Sequence, residues 1–83
     1  MKTGEFLKNR RLELNLTQAF VSSHMGYFTN QFVSNCERGV SFPPRKTLKR
    51  LCSILKCKVK EVEILILEDK ISILQNELLK VSK

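Results

Sequence analysis

Eighty-three residues leave room for one domain, with a core at the small end of what folds unaided. Apolar residues make up 42% of the chain, which argues against disorder, and the longest apolar run, Ile64 to Leu67, is far too short to cross a bilayer. The net charge of +7 is unevenly placed: residues 1–60 carry twelve Lys/Arg against three acids, residues 61–83 three against five, so a basic body precedes an acidic appendage.

In chain order, the first predicted helix runs from about Gly4 to Leu14, with Thr3 as its N-cap. Asn15 follows, the residue after Gly that best tolerates the left-handed conformation ending a helix. Thr17 caps a second helix that places Val21 and Met25 on one face and stops at Gly26. The third begins near Thr29, a further N-cap candidate, and ends at Gly39. Its inward stripe is Val33, Cys36 and Glu37, which leaves Asn30, Gln31, Ser34, Asn35 and Arg38 facing out. Pro44 stands at the first turn of a fourth helix carrying Leu48, Leu51, Cys52 and Leu55. A fifth runs from about Val59 to Val81. Strict apolar–polar alternation is nearly absent, so the fold class is all-α.

The fifth helix repeats apolar residues as Ile64, Leu67, Ile71, Leu74, Leu78 and Val81, in alternating steps of three and four. This is a heptad pattern, and Val62, Leu65 and Ile66 add a second apolar face near its start. One face closes the domain, and the six-residue stripe is expected to form a homodimer interface. Packing on its own domain is the plainer use of such a stripe. In a parallel pair Glu63 would meet Glu68 of the other chain, which leaves antiparallel or crossed packing open. The expected division is a basic helical domain over residues 1–60 and a dimerisation element over 61–83.

Cys36, Cys52 and Cys57 lie in apolar stretches without a CxxC or a Cys/His cluster, so buried reduced thiols are expected and a metal site is not. No cofactor is expected. No nucleophile–base pair, paired carboxylates or phosphate-cradling Gly loop points to an enzyme. The start Met-Lys-Thr-Gly has no apolar signal-peptide region, which points to the cytoplasm. The apolar stripe and the excess basic charge occupy different segments, against a membrane-surface role.

The segment Thr17 to Gly39 is a capped helix, a Gly turn, a second helix dense in amides and a terminating Gly. With Thr17-Gln18, Gly26, Ser34-Asn35, Glu37-Arg38-Gly39 and the later Pro44, it resembles the helix-turn-helix of the lambda Cro and repressor-like (XRE) family over roughly residues 6–62. One residue more than the short family pattern lies within Gly26-Tyr27-Phe28, which bears on how Gln18 meets the next helix. The resemblance implies a five-helix, lambda-repressor-like domain, bacterial or phage-encoded, with its second motif helix in the DNA major groove.

An α-helix fits that groove, where Asn and Gln pair bidentately with adenine. Asn30, Gln31 and Asn35 stand on the exposed side at the N-terminal end and one turn on, and Ser34 reaches a base or phosphate. The resemblance gives base-contacting roles to the same three amides. Phosphate contacts are expected from Gln18 and Thr29 at the two helix starts, from Arg38, and from Arg45, Lys46 and Thr47 after Pro44. Lys2, Lys8, Lys49 and Arg50 read as ordinary solvated charge. The resemblance makes Arg11 and Glu37 a partly buried ion pair with a structural role. The expected function is a homodimeric transcriptional regulator on a palindromic site in double-stranded DNA, with repression favoured over activation. The alternative is an interaction module, such as an antitoxin or adaptor, whose last helix binds a different protein.

Overall fold

The computed structural model describes residues 1–82, and among these it contains five helices and no strand: α1 (Lys2–Glu13), α2 (Gln18–His24), α3 (Gln31–Glu37), α4 (Arg45–Ile54) and α5 (Val59–Val81). Local chemistry explains most boundaries. Asn15 (φ 57°) and Gly26 (φ 85°) take the left-handed conformation beyond α1 and α2. The Thr17 hydroxyl accepts from the Phe20 amide at 3.0 Å, and Pro44 stands immediately before α4. Lys56 is also left-handed (φ 52°), without a Gly or Asn to signal it. Arg10 holds that turn, donating to the carbonyls of Leu55 (2.9 Å) and Lys56 (3.0 Å).

Two expected caps differ. α1 begins at Lys2, so Thr3 lies inside the helix and buried, and its hydroxyl is spent elsewhere. α3 has Asn30 at its N-cap without a side-chain bond; Thr29 stands one residue earlier and accepts from the Gln31 amide at a long 3.4 Å.

Leu7, Val21, Val33, Leu48, Leu51 and Leu55 form the centre of the core, closed on one side by Val62 and Ile66 of α5. The residue-60 division therefore falls in the first turn of α5, and the core continues past it. Gly4 explains how α1 comes so near α3: a Cβ there would collide with the carbonyl oxygens of Glu37 and Cys36.

The N-terminus of α1 is capped from 66 residues away. Asp69 of α5, buried at 5% exposure, accepts from the amides of Lys2 (3.1 Å) and Thr3 (2.8 Å) and from the Thr3 hydroxyl (2.6 Å). Burial pushes this carboxyl up, but those bonds outweigh it and hold it below the usual carboxylate value. Beyond Asp69, α5 leaves the domain, and the molecule measures 45 × 24 × 23 Å.

Candidate nucleic-acid interface

α2 and α3 are each seven residues long, and the Gly26 turn redirects the chain between them. The Tyr27 amide donates to the Ser22 carbonyl at 2.9 Å, and the Tyr27 ring packs on Phe32 at 4.8 Å between centroids. Phe28 beside it is fully exposed, so the longer turn projects a bare phenyl ring just ahead of α3. Its type gave no hint of this, because in sequence Tyr27, Phe28 and Phe32 look alike.

Below the turn, α3 is anchored by a charged cluster. Arg11 reaches from α1 with Nε on Glu37 Oε2 (2.6 Å) and Nη2 on Oε1 (3.0 Å), a bidentate pair with side chains only 10% and 5% exposed. The hydrogen bond to Glu37 raises the Arg11 pKa further, and Arg11 also donates to the Leu16 carbonyl at 2.8 Å. Gln18 completes the cluster, its Nε2 donating to Glu37 Oε1 at 3.0 Å. One arm of the Gln18 amide is thus tied inward, which links the start of α2 to the end of α3.

On the outer side the amides form a row. Gln31 Nε2 donates to Asn35 Oδ1 (3.0 Å), and Arg38 Nη2 donates to the same oxygen (2.8 Å). Asn35 Nδ2 and Gln31 Oε1 keep no partner among the described residues, so the two amides offer a donor group and an acceptor side by side to an outside ligand. Asn30 is exposed beside it, and Ser34 is half-buried.

The flank at α4 is cationic. The Arg45 side chain is 90% exposed, with its guanidinium 4.0 Å from Glu63, and Lys46, Lys49 and Arg50 are all exposed. Thr47 is turned back, its hydroxyl donating to the Pro44 carbonyl at 2.8 Å.

The other reactive groups are quiet. Burial pushes the Cys36 thiol up to about 11 and the Cys52 thiol to about 12, and raises Cys57 as well, which keeps all three protonated at neutral pH. His24 stacks on Phe20 at 4.0 Å, with Nδ1 2.9 Å from the Phe20 carbonyl oxygen. Among the described residues no cluster of acids, Cys and His is arranged to hold a metal, and no helix is long and apolar enough to cross a membrane.

Two short helices across a Gly turn, with a polar face on the second and cations beside it, define a helix-turn-helix module. A family model described as helix-turn-helix (HTH_3, the XRE type) matches residues 7–62, two-thirds of the chain. The protein belongs to that family, which is DNA-binding and non-enzymatic. No curated protein and no solved structure matches the chain.

Proposed function

We propose that the protein is a sequence-specific regulator of transcription that binds double-stranded DNA as a homodimer on a palindromic operator. The observation that carries this reading is the row Gln31–Asn35–Arg38. In it two side chains donate to one Asn oxygen and so fix which way the Asn35 amide faces. That leaves Asn35 Nδ2 as a donor beside Gln31 Oε1 as an acceptor, and a donor and acceptor side by side match N7 and N6 of the adenine edge in the major groove. Asn30, Gln31, Ser34 and Asn35 are the proposed base-facing set.

Arg38, Arg45 and Lys46 are the proposed phosphate contacts, joined by Gln18, Thr29 and Thr47 around the rim. All three cations are exposed, which suits a role in which each phosphate neutralised releases a counterion. Arg11 and Glu37 hold the reading helix and touch no DNA. Ile64, Leu67, Ile71, Leu74, Leu78 and Val81 supply the surface between copies, all exposed. Repression is favoured because occupying a promoter requires binding alone, whereas activation requires a further contact with polymerase. That same exposed stripe is what favours the second reading, an interaction module joined to a different protein.

Selection of bound sequences from random duplex DNA tests the proposal. The expected product is a two-fold symmetric site, and Gln31→Ala relaxes one base position with a loss of roughly 1–3 kcal/mol there. Failure to enrich any sequence, or an unchanged preference in the variant, overturns it.

A further inference from the structure

Resting on the dimer reading, we infer that two copies pair antiparallel along α5, in the register that sets Ile64 against Val81, Leu67 against Leu78 and Ile71 against Leu74 of the second copy. The surface is separate from the domain. At 100° per residue the stripe lies about 140° around the helix from the face that carries the buried Val62, Ile66 and Asp69. Its six residues are 51–84% exposed and none belongs to the buried core. A specific interface needs on the order of 1,200 Å² in total. Six large apolar side chains per copy with their flanking residues reach that scale only when all six find partners. Sliding the antiparallel pair by one heptad leaves layers empty.

Charge selects the direction. With the stripe as the seam, Glu63, Lys70 and Glu77 border one side and Glu68 and Gln75 the other. A parallel pair puts Glu63 beside Glu68 of the second copy twice, and gives Lys70 only Gln75. The antiparallel register puts Lys70 beside Glu77 twice and Glu68 beside Gln75. It also leaves Glu63, which lies 4.0 Å from Arg45 of its own chain, without a counterpart on the second copy.

Sedimentation equilibrium on the full chain tests this, with Lys70→Glu and Glu77→Lys made separately. In the antiparallel register each variant places two like-charge pairs in its dimer and weakens it about tenfold, whereas an equimolar mixture forms a heterodimer as tight as the unsubstituted protein. If the unsubstituted chain is a monomer, the dimer reading itself falls. If it is a dimer but neither variant loosens it, or both do and mixing restores nothing, the antiparallel register is overturned while the dimer stands.

Discussion

Val62 and Leu74 lie twelve residues apart on one helix, yet Val62 is 0% exposed and Leu74 62%. The first belongs to a region, residues 1–69, that holds every buried residue of the core and where even charged groups are buried with partners: Arg11 with Glu37, Asp69 with Thr3. The second belongs to a stretch, residues 70–81, where Ile71, Leu74, Leu78 and Val81 face outward and no residue is buried. An isolated segment of that length is marginal as a helix in water, so its order depends on the turns it continues and on whatever covers its stripe. Stability is thus concentrated in the domain, while the outer part of α5 keeps its apolar stripe exposed.

Three substitutions sharpen that contrast, the most damaging first. Glu37→Ala strands Arg11 in the interior and is expected to cost about 3–5 kcal/mol, read as a lower denaturant midpoint with an unchanged slope. A loss under 1 kcal/mol shows that the pair is solvated in solution. Asp69→Asn, at the border of the two regions, is expected to cost roughly 1–3 kcal/mol by weakening the cap on α1. Because the Asp69 carboxyl is lowered in the folded state, the unfolded chain binds the more protons as pH falls to the ordinary carboxylate value. The Asp69 contribution is therefore complete above that value and lost as pH drops through the folded one. The Asn variant should flatten this part of the acid limb; an unaltered limb assigns it to other groups. Leu74→Ser should change the stability of dilute, monomeric protein by no more than about 0.5 kcal/mol while weakening self-association. A larger loss in the monomer makes the outer half of α5 part of the domain after all.

Local signals revealed the domain's outline well. Thr17, Asn15, Gly26 and Gly39 act through their own backbone or their nearest neighbours, so a single stretch of sequence contains the whole cause. Thr3 misled for the opposite reason. Its spacing suits a cap, but its partner Asp69 lies 66 residues on, and nothing in residues 1–14 points there. Arg10 is alike: one cation among fifteen in sequence, it spends its guanidinium on the end of α4. Gly4 looks like a weak helix residue until α3 is placed against it. At the candidate interface, residue type and helical phase singled out Gln31 and Asn35. They could not show that the two amides and Arg38 bond to one another, or that Phe28 alone of its aromatic neighbours is turned fully outward.

The position of Asp69 has a mechanical consequence. It is the last buried residue of α5, and Val81 stands twelve residues further, about 18 Å along the axis. A fulcrum with an arm that long converts a 10° tilt into a displacement of about 3 Å at the tip, close to the rise of one base pair in DNA. In a two-fold pair the displacement counts twice. In the proposed dimer, the three hydrogen bonds that fasten α1 to Asp69 would thereby act as a gauge of how far apart the two reading heads stand on a duplex.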